Sequence, residues 1–260
     1  MISALPKTAW LRAILLLGLL WTTVPVNAAE TDYMDMITRY VGRLNNIYDG
    51  TWAYTFTTTD KRKDEVRVRR VDPSKADYRE RDILLTVNGE PPTAKRLSQH
   101  LRQMEKRESR RKRNGARAHE DPSRPNEKPG KEKDRFLAAL IPDSIHEIKR
   151  EGDLLHLGFK ATEPGREGIF EKLDGTLVLD TRDEYIKELQ LRPTGPFYPF
   201  FLTKVEDALL VVHFGLVNGE PVQQSATWKL LGQALIVKNL DADMEVVWEQ
   251  FEKVTPAVPL

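Results

Sequence analysis

From Gly50 onward the chain is a succession of short segments in which apolar and polar residues alternate. Trp52, Tyr54 and Phe56 fall on one side of such a segment, with Thr55 and Thr57 on the other. The same period recurs at Val66/Val68, Ile83–Val87, Ile145–Lys149, Leu154–Lys160, Ile169–Leu173, Thr176–Asp180, Tyr185–Leu191, Val205–Phe214, Pro221–Leu230, Ala234–Lys238 and Met244–Phe251. Glu151-Gly152-Asp153, Asp174-Gly175 and Asn218-Gly219 punctuate the series as turns. A dozen or so strands joined mostly by tight turns exclude a βαβ architecture and require an antiparallel sheet.

One hairpin constrains the shape of that sheet. A two-residue type I′ turn at Asn218-Gly219 places Val211 opposite Ala226 and Leu209 opposite Trp228. Leu210, Val212 and Phe214 then lie on the other face, against Thr227, Ser225 and Gln223. A strand that is apolar on both faces needs something to pack on each side. The expected fold is therefore α+β, a strongly curved antiparallel sheet or incomplete barrel covered by helices. Asp32–Tyr48 supplies one helix, with Tyr33, Met36, Ile37, Tyr40, Val41, Leu44, Ile47 and Tyr48 at helical spacing ahead of Gly50. A short helical stretch at Asp134–Leu140 supplies another.

Charge is balanced overall, with 40 Lys+Arg against 39 Asp+Glu, so the chain is not a globally basic nucleic-acid binder. It is segregated, however. Residues 94–135 hold 15 basic and 7 acidic side chains, a net of +8, and mark an insertion. Thr93 is the expected N-cap of a helix from Ala94 to about Arg113, with a thin apolar stripe of Leu97, Leu101 and Met104 and a Glu108–Lys112 pair. Gly115, Pro122, Ser123, Pro125, Pro129 and Gly130 then predict a tether. No Phe, Trp or Tyr occurs from 94 to 135, which argues against base stacking, and hence nucleic acid, and against a helix inserted into a membrane interface. Two readings of the segment stand: a solvated charged loop, or electrostatic attraction of Lys106–Arg117 to anionic lipid headgroups or an acidic protein.

Residues 1–28 have the form of a secretory signal. Lys7 and Arg12 precede the apolar run Ala13–Trp21, and Val26 and Ala28 stand at −3 and −1 of a cleavage site. Thr22, Thr23, Pro25 and Asn27 interrupt the run short of the ~20 residues of a membrane span. The chain has no cysteine, which excludes disulfides, a thiol nucleophile, Cys-based zinc sites and acylation of a lipobox. The expectation is a single domain, 29–260, released into the periplasm as a soluble protein after cleavage near Ala28.

Motifs for chemistry are absent. His100, His119, His146, His156 and His213 show no metal-ligand spacing, and His146 and His156 are not expected to face each other directly. Asp241-Ala-Asp243 lacks a calcium-loop pattern, Gly165-Arg-Glu-Gly168 is not a P-loop, and no G-x-S-x-G occurs. No catalytic residue, metal site or cofactor is therefore assigned. The aromatic run Phe197, Tyr198, Phe200 and Phe201, broken by Pro196 and Pro199, reads as a loop. It either plugs one end of the sheet or forms a rim or lid for an apolar ligand.

The order of these features resembles a known family. An opening amphipathic helix is followed by a strand like Gly50–Phe56, by Gly175–Asp180 and Tyr185–Leu191, by Lys204-Val205-Glu206, and by a closing strand ending at Phe251. In this the chain is similar to the periplasmic outer-membrane lipoprotein-sorting proteins, the LolA/LolB-like superfamily, over most of 30–254. The resemblance implies a bent sheet with an apolar cavity that shelters acyl chains. It also implies a non-enzymatic carrier or sensor of a lipid or lipoprotein. Trp52, Tyr54 and Phe56 would then line the interior, with Phe197, Phe200 and Phe201 near the rim. The alternatives are a periplasmic protein-interaction module using the same fold without a transported ligand and, more remotely, a hydrolase. Export has a direct test: the intact mass of the secreted product should place its first residue at Ala29 or Glu30. A membrane-bound product retaining Met1–Trp21 would contradict the signal-peptide reading.

Overall fold

The computed structural model describes residues 32–45, 50–120, 131–161, 173–200, 203–234, 238–239 and 241–257, so the segment read as a signal lies outside the described residues. Helix α1 (Tyr33–Arg43) leads into strands β1 (Trp52–Asp60) and β2 (Glu65–Val71), the single turn α2 (Tyr78–Arg81) and β3 (Asp82–Val87). The long helix α3 (Ala94–Glu120) and the shorter α4 (Lys131–Ala139) follow. The remainder is β4 (His146–Glu151), β5 (Leu154–Lys160), β6 (Leu173–Asp180), β7 (Tyr185–Pro193), β8 (Phe197–Phe200), β9 (Thr203–Val217), β10 (Glu220–Ala234), the two-residue β11 (Lys238–Asn239) and β12 (Ala242–Lys253).

These strands form one antiparallel sheet in the order β3-β2-β1-β12-β10-β9-β7-β6-β5-β4, with β8 added to β9 and β11 to β10. Among the described residues β3 and β4 are its two ends, and the sheet is not closed. Most of the expected strands are present. The mainly antiparallel sheet follows from the period-two pattern, and few helices accompany it.

The central hairpin β9–β10 corrects the register expected from sequence. Asn218 and Gly219 both have positive φ, 53° and 78°, as a type I′ turn demands. Pairing runs true from Val217–Glu220 to Phe214–Gln223, but Gln224 is then passed over and His213 pairs with Ser225. Val212 therefore faces Ala226, and Leu210 faces Trp228. A bulge inserts one residue into one strand and so exchanges the faces of everything beyond it. Its effect here is to gather Leu210, Val212, Ala226 and Trp228 on one face. Leu209 and Val211 lie on the other, opposite Lys229 and Thr227. Gly215 lies beside the bulge, where a Cβ would overlap the side-chain amide of Gln224.

Other expectations are also corrected. Asp174-Gly175 is no turn: both residues lie within β6, and Gly175 faces Phe159 of β5. The Phe159 ring occupies the space a Cβ of residue 175 would need, so the glycine serves packing rather than reversal. The reversal comes later, where the Asp180 carboxylate accepts from the backbone N–H groups of Arg182 (3.1 Å) and Asp183 (3.0 Å) and Glu184 takes φ 54°. Helix α1 ends at Arg43 rather than Tyr48, and residues 46–49 lie outside the described residues. Helix α3 continues past Arg113 through Gly115 to Glu120, since Arg, Lys and Ala sustain a helix up to the first proline. Its start is as expected, with Thr93 Oγ1 accepting from the Arg96 N–H at 3.4 Å. The run read as an aromatic loop is in part the short strand β8, with Phe197 opposite Val205 and Phe200 opposite Thr203. The expected segments Ile169–Leu173 and Ala234–Lys238 lie largely outside the described residues.

Two glycines give a paired test of strand crowding. A Cβ at Gly232 would overlap the backbone carbonyl of Lys204, which cannot move without shifting β9, whereas one at Gly215 meets only the mobile end of Gln224. In urea unfolding Gly232→Ala should lose about 1–3 kcal/mol and Gly215→Ala less than about 1 kcal/mol. Equal losses would contradict the register at this end of the hairpin.

Candidate apolar binding face

Direct cross-strand neighbours trace one face across the whole sheet. Leu84, Arg69, Phe56 and Trp248 are successive partners on β3, β2, β1 and β12. Val246, two residues from Trp248, faces Ala226, and the line continues through Val212, Leu189, Leu177 and Leu157 to Glu147 on β4. Helices dock on this face at both ends, by different chemistry.

At the β4–β7 end, α1 buries Ile37, Tyr40 and Val41 against Leu155, Leu157, Leu177, Leu179 and Ile186. Phe136 of α4 meets Phe159 edge-on at 6.4 Å. Eleven residues are too few for a stable isolated helix, so α1 exists because its three buried side chains each contribute about 1.5–3 kcal/mol here. The Tyr33 hydroxyl donates to Glu147 at 3.0 Å. Burial and then this carboxylate push the phenol above its ordinary value, while Arg150 and then Tyr33 hold the Glu147 carboxyl below its own.

At the β1–β3 end, where Leu84 is buried, α3 buries His100 and Met104 among its described side chains. Leu97 is exposed, so His100 occupies the stripe where Leu97 was expected. The attachment is ionic. His100 Nε2 lies 2.8 Å from the Asp82 carbonyl oxygen, Arg69 bridges the Asp82 carboxylate, and Phe56 underlies the Arg69 guanidinium at 4.6 Å. The buried Glu65 pairs with Arg96 of α3 and with Arg67, and Arg81 reaches Glu108 at 3.8 Å. The side chain of Lys112, the partner expected for Glu108, lies outside the described residues.

The aromatic residues singled out in the sequence are placed as follows. Trp52 is 1% and Tyr54 5% exposed, in one cluster with Val222, Ala226, Val246 and Trp248. Phe251 meets Trp52 edge-on at 6.1 Å and lies 6.3 Å from Tyr54. Phe56 is half-buried beneath Arg69, Phe197 is buried opposite Val205, and Tyr198 is exposed. The Phe200 side chain and all of Phe201 lie outside the described residues.

Between the two helix-covered ends lies a band that sequence reading put on two faces. Leu191 faces Leu210, Leu210 faces Trp228, and Trp228 faces Met244, and all four are half-buried. A second row, Leu189–Val212–Ala226–Val246, runs beside it. Four strands make each row about 14 Å long at ~4.8 Å per strand. The signal that would have identified this band is the bulge at Gln224, which no turn rule reveals.

The polar candidates form no common centre. His146 faces Gly158 and Lys149 faces His156, so the two histidines are not opposed, as the turn at 151–153 suggested. Among the described residues no three His, Asp or Glu side chains converge on a point that could hold a metal. Asp243 lines a polar pocket of about 220 Å³ with Lys61, Arg62, Asp207, Lys229, Leu231 and Ala242. Arg62 is matched by Asp241 at 2.9 Å and Lys61 by Glu245 at 3.1 Å, Lys229 lies 3.9 Å from Asp243, and Asp243 Oδ1 is buried with no hydrogen-bond partner among the described residues. Among the described residues no helix is long and apolar enough to cross a membrane. No family model matches the chain, and no curated protein or solved structure is significantly similar to it.

Proposed function

We propose that this chain is an exported, non-enzymatic binding protein that shelters an apolar, acyl-chain-sized ligand on one face of a curved sheet. The observation that carries the reading is the half-buried row Leu191, Leu210, Trp228 and Met244 between two helix-covered ends of the same face. Each methylene withdrawn from water contributes about 0.8 kcal/mol, so a chain lying along ~14 Å of such surface is held without a catalytic group or cofactor. The face is pre-formed by strand pairing, which lowers the cost of ordering it. The resemblance to lipoprotein-sorting proteins supplies the ligand class, a lipid or the acyl chains of a lipoprotein, and the periplasm as its setting. Helices at both ends, α1 with α4 on one side and α3 on the other, suit a sheet that wraps its ligand.

A second reading has its own support. Trp52, Tyr54, Trp248 and Phe251 already fill the β1–β12 part of the face with the protein's own side chains. A face so filled suits a protein-interaction module with no transported ligand.

Titration with a fluorescent fatty acid separates the two. The wild type should bind saturably, and Trp228→Ser and Leu210→Gln should each weaken binding by about 10–100-fold. Urea unfolding should show both variants folded. A folded wild type with no saturable binding and no lipid extractable from protein purified out of its own envelope would replace the first reading by the second.

A further inference from the structure

Among the described residues the contacts of helix α3 with the sheet lie on one side, and the opposite side has a pattern of its own. His100 and Met104 face the sheet. On a helix of 3.6 residues per turn, Lys95, Arg102, Lys106, Arg110, Arg113 and Arg117 fall on a line roughly opposite them. Their spacings are seven, four, four, three and four residues, and the line is about 33 Å long at 1.5 Å per residue. Between Lys95 and Arg117 it carries no carboxylate, because Glu105 and Glu108 fall on other sides of the helix. Lys95, Arg102 and Lys106 are exposed. Arg102 bonds only back to Ser98, at 3.3 Å to its carbonyl oxygen and 3.4 Å to its hydroxyl, and among the described residues none of the three meets a carboxylate. Of the anionic side chains near α3, Glu65, Asp82 and Glu108 are engaged by Arg67, Arg96, Arg69, His100 and Arg81 on the docked side, and the exposed Glu105 interacts with Arg79.

We infer that this line of α3 is a docking surface for an anionic lipid bilayer. The stripe contains no apolar or aromatic residue, so it offers nothing to fill a pocket on a protein partner, where buried anchors carry most of the affinity. A flat surface of anionic headgroups needs only a row of cations, each strengthening binding roughly fivefold near the surface. The rest of the exported chain orients it. Outside 94–135, residues 29–260 carry 23 basic and 32 acidic side chains, a net of −9, so an anionic membrane repels the body and attracts only this helix. The proposal goes beyond the ligand-binding reading and does not depend on it.

Co-sedimentation of the full exported chain with vesicles tests it. Phosphatidylcholine vesicles containing about a third phosphatidylglycerol should bind the protein, neutral vesicles should not, and binding should fall as salt shortens the ~10 Å screening length. The triple variant Lys95→Gln, Arg102→Gln, Lys106→Gln should lose at least about tenfold in affinity. A triple with the same charge change elsewhere, Lys149→Gln, Lys160→Gln, Lys187→Gln, should bind as wild type. Trp228→Ser should also bind vesicles normally, which keeps this result separate from fatty-acid binding. No binding to anionic vesicles, equal binding to neutral ones, or equal loss in the two triples would overturn the proposal. So would retention on polyglutamate without vesicle binding, which would assign the stripe to an acidic protein.

Discussion

The two halves of the sheet meet at the register of β9 against β10. Each of these strands is 15 residues long, and each carries one half of the molecule on its outer edge. β9 leads through β7, β6 and β5 to β4, and β10 leads through β12, β1 and β2 to β3. The single skipped residue, Gln224, decides which side chains from the two halves share a face. With it, Val212 and Ala226 join the line from Leu177 to Trp248. Without it, the β9 contribution to that line would pass to the other side. Gly215 lies beside the bulge, and the Gln224 amide fills the room its missing Cβ leaves, a contact that the flexible end of Gln224 can give up.

The ends of this face are closed by opposite means, and the difference explains the segregation of charge along the chain. Helix α1 is an apolar plug whose burial supplies its stability, in keeping with Leu155, Leu157, Leu177 and Leu179 beneath it. Among its described residues helix α3 buries little apolar surface and is registered by Glu65, Asp82 and their arginines. Ion pairs of this kind gain little net stability over apolar packing but are costly to break from one side. They fix where the helix sits while leaving its outer surface free to be strongly basic. A helix with the composition of α3 could not have been seated in the manner of α1.

Much of this organisation was legible in the sequence, and the failures share a cause. The period of two, the Asn218-Gly219 turn and the Thr93 cap are local signals, and each appears where its residues are. Residues whose role is set by a neighbour on another strand carry no such local signal. Gly175 looked like a turn because its packing partner, Phe159, is sixteen residues away. Val205–Phe214 is apolar on both faces, as its alternation implies, but the bulge in the partner strand sets Trp228 opposite Leu210 and Ala226 opposite Val212, where an unbulged turn would set them opposite Leu209 and Val211. His100 was invisible as a docking residue because its acceptor, the carbonyl of Asp82, belongs to β3. The aromatic residues of β1 were correctly grouped on one face, but sequence could not show that Trp52 and Tyr54 are covered while Trp228 and Leu210 are half-exposed.

The register itself is open to direct observation by nuclear Overhauser contacts across β9 and β10. The bulged arrangement predicts side-chain contacts between Val212 and Ala226 and between Leu210 and Trp228, with Gln224 lacking a direct partner. Contacts of Val211 with Ala226 and of Leu209 with Trp228 would show an unbulged hairpin, and would dismantle the continuous face on which the binding proposal stands.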